Sequence, residues 1–273
     1  MRQARHVPFV ALAVFGVALA SVPAWFSVSV RDSMQLAGVF AGWSLAIYIA
    51  AAAGGVLAAA SFGSGEPMRA GWLSLSASYV VLLPVAVALG PKAEGLYAGE
   101  VRWPWLLAAG GNASGVLAVV AFLLLARAWR SSGLDASSKR GRVAAVLVAL
   151  GIAAVLAGGD VRERLPDALR GDVLALTDVL TDLLDAAVFV VAVPVLRAAL
   201  ALGGGLVAWP WLFLTLSLVA WLGYDATTVF AAAPSFDPRS VRIAQEVLRT
   251  LAASFVCVAG VAQKWVIGAA RER

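Results

Sequence analysis

Three aspartates lie at four-residue and three-residue intervals within an otherwise apolar stretch of the sequence. Asp178, Asp182 and Asp185 fall between Val173 and Leu196, a segment long enough to cross a bilayer as a helix. Helical spacing of three or four residues places all three carboxylates on one face. A carboxylate within a membrane is costly unless it faces a cavity, a cationic side chain or a bound ion. These aspartates are therefore the first candidates for a functional site.

More ionisable side chains occur in the two apolar stretches that follow. We predict an ion or proton site from Asp178, Asp182, Asp185, Asp225, Glu246 and Thr181, with Arg242 and Arg249 as charge partners. Five carboxylates then face two guanidinium groups, so the excess acids must be protonated, hydrated or neutralised by a cation. Protonation indicates a proton relay, and hydration indicates a permeation path.

A bound cation would indicate a transport or sensing site. The spacing allows such a site from Asp178, Asp182 and Asp225, with hydroxyl oxygens from Thr177, Thr181, Thr227 and Thr228. Hard oxygen ligands favour sodium, calcium or protons over soft metals, and we predict no transition-metal site. The alternative is structural: Asp178 and Asp182 pair with Arg242 and Arg249 to fix helix register, or meet a basic partner subunit.

The composition is that of an integral membrane protein. Of 273 residues, 62% are hydrophobic and 14% are charged, and the mean hydropathy is +0.88. The net charge of +5 comes from basic residues that gather in loops and tails, where membrane orientation explains them. The lipid bilayer is thus the expected environment, and nucleic acid is not an expected partner.

Eight apolar stretches predict an all-α protein with about eight transmembrane helices. They are 7–30, 34–61, 70–89, 103–125, 143–157, 173–200, 207–229 and 243–266. The N-terminal flank, the central loop and the C-terminal tail are basic, and the positive-inside rule places all three in the cytoplasm. An even number of spans in each half satisfies that rule. The same count places the short connection 160–170 on the outer side of the membrane.

The beginning of the chain also has the pattern of a secretory signal. Residues 1–26 combine a basic start, an apolar middle and the small residues Ala18 and Ala20. We expect this segment to remain as a signal anchor that forms the first helix.

The two halves of the sequence show weak internal similarity. Trp72 begins the third span as Trp211 begins the seventh, and Trp129 ends the fourth as Trp265 ends the eighth. We therefore predict a four-helix half at 1–133, a basic cytoplasmic linker at 134–142 and a four-helix half at 143–273 that carries the acidic site. Halves with an even number of spans would be parallel repeats related by an axis along the membrane normal.

Small residues and one amide indicate how the spans pack. Gly38 and Gly42, and likewise Gly111 and Gly115, predict close helix contacts. Asn112 matches a glycosylation acceptor, but its place within a span favours an interhelical hydrogen bond.

The residue content argues against catalysis. The sequence has one cysteine, Cys257, and one histidine, His6, so it lacks the residues for disulfides, zinc clusters, bis-histidine haem or a hydrolase triad within the membrane. We predict a protein that is not an enzyme and needs no cofactor.

The last two spans carry a resemblance. The segment Trp211 to Phe230, with Trp221 and Asp225, followed by a loop and a helix ending in Gln263, Lys264 and Trp265, resembles the closing helix pair of polytopic sensor regions of bacterial signalling proteins. The resemblance implies a membrane sensor that acts through a separate output partner.

Two functions are thus consistent with the sequence. The first is a multi-pass protein of the bacterial inner membrane with an intramembrane cation or proton site and a role in transport or ion coupling, as a subunit of a larger complex or a homo-oligomer. The second is a non-catalytic sensor or assembly subunit whose aspartates pair with basic residues. A coupling site predicts a cavity that reaches Asp182 and Asp185, whereas an assembly role predicts an arginine or lysine beside every carboxylate.

Overall fold

The apolar stretches form long helices connected in an up-and-down order. The computed structural model describes residues 6–88, 104–131, 139–201, 205–231 and 237–271, in which no strand occurs. The helices of this described part are α1 Val7–Ser29, α2 Ser33–Ala59, α3 Pro67–Ala88, α4 Pro104–Ser131, α5 Lys139–Leu169, α6 Val173–Ala201, α7 Ala208–Ala231 and α8 Pro238–Arg271. The all-helical membrane fold expected from the sequence is confirmed at this level.

Most of the helices have the membrane-spanning character predicted for them. Among the residues that the structure describes, six helices are long and apolar enough to cross a bilayer, and bent α5 would make a seventh. Within the described residues, helix α7 is not among these six. The membrane character is thus established by length and composition, and the count of eight spans stays a prediction.

Helix α5 differs most from its prediction. The sequence favours a short span at 143–157, with 160–170 as a connection, but the helix continues from Lys139 to Leu169. Its axis bends by 53° between Val143–Val155 and Ala157–Leu169. Gly158 and Gly159 follow the bend directly, and glycine offers little resistance to such a change. The predicted linker 134–142 lies partly outside the described residues, and its part from Lys139 onward belongs to α5.

Three helices that begin at the same end of the bundle start with an aspartate cap. The Asp32 carboxylate accepts a hydrogen bond from the backbone N–H of Gln35 (2.8 Å), and the Asp172 carboxylate accepts one from the backbone N–H of Leu174 (2.9 Å). Asp237 accepts from both the amide (3.0 Å) and the hydroxyl (2.8 Å) of Ser240. These bonds satisfy amides that otherwise have no partner in the first helical turn.

Replacing Asp237 with Ala is expected to lower the thermal unfolding temperature modestly, and only above acidic pH. The hydrogen bonds from Ser240 lower the pKa of the Asp237 carboxyl. Because the folded pKa lies below the unfolded one, the stabilisation is present above the unfolded pKa and is lost as pH falls through the folded pKa. Thermal unfolding of both proteins across pH 2–7 should show the difference disappearing at the acidic end, and a pH-independent difference would contradict this explanation.

Six helices close into a ring. Neighbours around it are α2, α3, α4, α6, α7 and α8, and α8 packs against α2 to complete the circle. Helix α1 packs outside the ring against α8, and α5 packs outside against α6. The first and second halves of the chain thus each contribute three helices to the ring and one to its periphery.

The two junctions between the halves are both parallel helix pairs. At the α2–α8 junction, Trp43 donates to Thr250 (3.2 Å) and Arg271 donates to the Ser61 carbonyl (3.0 Å). The residue numbers of both helices therefore increase in the same direction along the bundle. At the α4–α6 junction, Asn112 contacts Thr181 and Gly115 lies against Leu184, in the same sense. The other ring contacts join antiparallel neighbours.

This order of contacts is the one that two parallel repeats would produce. A twofold axis along the bundle would exchange α2, α3 and α4 with α6, α7 and α8, and would exchange the two parallel junctions. Phe9 near the start of α1 contacts Trp265 near the end of α8 (ring centroids 6.2 Å apart), so these two helix ends share one side of the bundle. The repeat and the cytoplasmic location of that side stay predictions.

Two glycines allow close helix contact at the α2–α8 junction. A Cβ atom at Gly54 would fall 2.6 Å from the Cys257 Cα, and a Cβ atom at Gly260 would overlap the Gly54 carbonyl. Small residues allow such approach between membrane helices. Of the glycines predicted to form close contacts, Gly115 does so against Leu184. The prediction is wrong for Gly38, Gly42 and Gly111, since no described atom would lie within 4 Å of a Cβ there.

Replacing Gly260 with Ala is expected to destabilise the protein by about 1–3 kcal/mol, because the added methyl group must push two helix backbones apart. Gly42→Ala, on α2 with open space at its Cβ position, is the matched control and should leave stability unchanged or slightly raised. Thermal unfolding in detergent measures both. Equal unfolding temperatures for the two variants would show that the Gly54–Gly260 contact is unimportant.

Candidate functional site

The ring of six helices encloses a cavity of about 400 Å³. All six ring helices line it, and Ala153 and Ala157 of α5 reach it from outside the ring. Much of the wall is apolar, but carboxylates, hydroxyls and phenol groups also face the cavity. A cavity of this size with a few convergent polar groups is typical of a ligand site.

Three of the predicted aspartates meet at this cavity. Asp182 and Asp185 reach it from α6, and Asp225 reaches it from the end of α7. Thr181 lies beside Asp182 and also lines the wall. Asp182 and Asp225 are half-buried, whereas Asp185 is exposed within the isolated chain. The cavity therefore brings together Asp182, Asp185, Asp225 and Thr181.

Aromatic side chains form a continuous part of the cavity wall. Tyr48 and Tyr79 pack with ring centroids 5.7 Å apart, and Trp221 donates its indole N–H to the Tyr79 hydroxyl (3.3 Å). Trp221 in turn packs against Tyr224 with centroids 5.5 Å apart. These four residues, called here the aromatic wall, connect α2, α3 and α7 across the cavity.

Helix α4 is fixed against the acidic helix by Asn112. Its amide N–H donates to the Thr177 carbonyl (3.3 Å), and its oxygen accepts from the Thr181 hydroxyl (2.9 Å). The interhelical role predicted for Asn112 is thus confirmed. Because α4 and α6 are parallel and Gly115 meets Leu184, Ser114 lies at the level of Asp182 and Asp185.

Ser114 presents an unused hydroxyl to the cavity. The residue is only 9% exposed and lines the cavity wall. Within the described part of the chain, its hydroxyl makes no hydrogen bond. A buried hydroxyl usually has a partner.

Glu246 and Arg249 form a buried ion pair one helical turn apart on α8. Arg249 donates to the Glu246 carboxylate and also to the Ser44 hydroxyl of α2 (2.7 Å). Glu246 is only 7% exposed, so this pair is largely shielded from solvent. Arg249 also lines the cavity, whereas Glu246 is engaged as its counterion.

Asp178 is separate from the cavity group. Its carboxylate forms an ion pair with Arg164, from the segment of α5 beyond the bend. The sequence interpretation pairs Asp178 with Arg242 or Arg249, so its partner is corrected here. The reason is the length of α5, which carries Arg164 to the beginning of α6 instead of leaving it in a loop.

Of the other residues predicted for the site, Thr177, Thr227 and Arg242 are described and do not line the cavity. The Thr177 hydroxyl donates to the Leu174 carbonyl (2.8 Å) and the Thr227 hydroxyl to the Tyr224 carbonyl (2.6 Å). Arg242 lies half-buried near the beginning of α8, and the side chain of Thr228 lies outside the described part. Among the described residues, no three His, Cys, Asp or Glu side chains are arranged to hold a metal ion. The three cavity aspartates thus share a space without forming a compact metal cage.

The sequence interpretation did not identify the aromatic wall or Ser114. Three of the four tyrosines in the sequence line the cavity. A tyrosine within a membrane span carries a polar hydroxyl that needs a partner, and this could have marked Tyr48 and Tyr79. Ser114 has no distinguishing sequence signal, because serine is common where membrane helices pack.

Comparison with protein-family models, with curated proteins and with solved structures gives no match.

Proposed function

We propose that this chain binds a small cation or protons in its central cavity and couples that binding to transport across the membrane. The observation that carries the proposal is the convergence of Asp182, Asp185 and Asp225, from two helices, on one cavity of about 400 Å³. The sequence-based criterion for a coupling site is a cavity that reaches Asp182 and Asp185, and the cavity does so.

The state of Asp185 gives the proposal its chemistry. In the described part of the chain, its carboxylate makes no hydrogen bond and no ion pair. A carboxylate within an apolar membrane helix must then be hydrated, protonated or neutralised by a ligand. Each of these states exchanges water, a proton or a cation with the cavity, which is the requirement for an ion-coupled site.

The architecture around the cavity also favours transport. Two sets of three helices meet at two parallel junctions, and the cavity lies between them. Transporters built from repeats commonly place the site at the repeat interface and change access by moving one repeat against the other. We accordingly propose eight spans with both termini in the cytoplasm, and the bacterial inner membrane as the location.

Transport is tested with purified protein in proteoliposomes. Vesicles with the wild-type protein should show cation or proton flux under an imposed gradient, measured with a fluorescent pH indicator inside and with isotope uptake for sodium and potassium. Asp185→Asn should abolish the flux, whereas Glu163→Gln, which changes an exposed carboxylate outside the cavity, should not. Equal flux in vesicles with wild type and with Asp185→Asn would overturn the proposal.

A second candidate function rests on the two ion pairs. Asp178 with Arg164, and Glu246 with Arg249, are acids neutralised by basic neighbours, as expected for a sensor or assembly subunit. The resemblance of the last two spans to bacterial sensor regions agrees with this alternative. Loss of a co-purifying membrane protein from Asp178→Asn, with cation-independent stability in the wild type, would favour it over transport.

A further inference from the structure

We propose that the ligand of this cavity is a small organic ammonium ion. The inference rests on the proposed cation-binding function and names the class of cation. It is carried by three features of one cavity: its volume, an aromatic wall that shares the cavity with carboxylates, and the unused hydroxyl of Ser114.

The cavity is too large for a bare inorganic cation. Its volume of about 400 Å³ equals the bulk volume of roughly a dozen water molecules. Calcium needs several oxygen ligands at about 2.3–2.6 Å, which requires acids gathered tightly around one point. Among the described residues, no group of three His, Cys, Asp or Glu side chains is arranged to hold a metal ion, although three aspartates line the cavity. A polyatomic ligand fills this space, whereas a single ion does not.

The aromatic wall supplies what an organic ammonium ion needs beyond a counterion. Tyr48, Tyr79, Trp221 and Tyr224 line the same cavity as Asp182, Asp185 and Asp225. Ring faces attract ammonium groups most strongly when water is excluded, and aromatic cages bind quaternary ammonium ligands. A metal ion that needs several oxygen ligands at short distance would gain less from these ring faces, which carry no oxygen atom.

Ser114 adds a point of recognition at the level of the acids. The residue is largely buried, lines the cavity and makes no side-chain hydrogen bond within the described part of the chain. A ligand that carries a hydroxyl or carbonyl group could use it. An ammonium ion with one such polar group therefore matches the wall better than an entirely apolar one.

The test is isothermal titration of the purified full-length chain in detergent. The probes are tetramethylammonium, choline and benzyltrimethylammonium, with 3,3-dimethyl-1-butanol as the uncharged carbon analogue of choline. At least one ammonium probe should bind, and the neutral analogue should bind at least tenfold more weakly than choline. Sodium chloride at the same ionic strength serves as the salt control.

Three variants locate the binding. Asp185→Asn should weaken ammonium binding at least tenfold, and Trp221→Leu should weaken it about threefold or more through the lost cation–π contact. Ser114→Ala should reduce choline affinity without changing that of tetramethylammonium. Glu163→Gln is the control that keeps wild-type affinity. A variant that binds nothing is scored only if it elutes as wild type in size-exclusion chromatography.

The outcomes separate this inference from the function on which it rests. If sodium, potassium or protons stabilise the wild type through Asp185 while no ammonium probe binds, the ammonium inference fails and the coupling site stands. If the neutral analogue binds as tightly as choline, the inference also fails. If no cation or proton acts through Asp185, both are wrong.

Discussion

Replacing Asp185 with Asn is expected to remove the cation-dependent stabilisation of this protein. A ligand that binds only the folded state raises its stability, by about 2.7 kcal/mol at a concentration of about 100 times its Kd. The Asp185 carboxylate faces the cavity without an ion pair in the described part of the chain, so its charge is available to a cation. Asp182→Asn should act in the same direction, because its carboxylate lines the same cavity.

Thermal unfolding in detergent measures this effect across pH and across sodium, potassium, calcium and choline. Protons compete with cations for a carboxylate, so the cation effect in wild type should weaken as pH falls. Glu163→Gln should follow the wild type throughout. If Asp185→Asn responds to each cation as the wild type does, the cavity aspartates are not the binding site.

Removal of the Glu246 carboxylate is expected to lower the free energy of unfolding by about 3–5 kcal/mol, the range found when one member of a buried ion pair is lost. Glu246→Gln leaves the Arg249 guanidinium without its counterion, and both side chains are at most 15% exposed. The same guanidinium holds α8 against Ser44 of α2, so the junction between the two halves should weaken as well. Thermal or denaturant unfolding in detergent provides the comparison.

Two further variants separate charge from packing. Asp167→Asn breaks the exposed pair with Arg170 and should cost no more than about 1 kcal/mol. The double variant Glu246→Gln with Arg249→Gln removes both buried charges and should be more stable than Glu246→Gln alone. If Glu246→Gln alone is as stable as the wild type, the Glu246–Arg249 pair does not stabilise the packing of α8.

Much of the fold could be predicted because the membrane allows few solutions. Backbone groups in hydrocarbon must bond within a helix, so each apolar stretch becomes one helix and its bounds follow within a few residues. The helix Lys139–Leu169 was the exception. Its second segment carries Arg164 and other charged residues, so its low hydropathy predicted a loop, although the chain remains helical there.

Contacts between helices were less predictable than the helices themselves. Gly54 and Gly260 lie in close contact, while a Cβ atom at Gly38 or Gly42 would meet no described atom within 4 Å. Which small residues face a neighbour depends on the rotation of each helix in the bundle. One sequence does not contain that information, because lipid and helix interiors are equally apolar.

The acidic part of the candidate site was visible from the sequence, but its surroundings were not. Helical spacing predicted that Asp182 and Asp185 share a face, and Asp225, also predicted for the site, reaches the same cavity from α7. The aromatic wall comes from three helices, and Trp221 and Tyr224 lie far along the chain from Tyr48 and Tyr79, so no local pattern could bring the four together. Asp178 shares the spacing but not the cavity, because Arg164 engages its carboxylate at the beginning of α6.

Infrared difference spectroscopy of the purified protein tests the central claim most directly, since it reports carboxyl groups themselves. Spectra are recorded on addition of each cation and after a step in pH, for wild type, Asp185→Asn and Glu163→Gln. We predict a carboxyl or carboxylate band that changes in wild type and in Glu163→Gln and is missing in Asp185→Asn. Identical difference spectra for all three proteins would contradict a cation or proton site at the cavity aspartates.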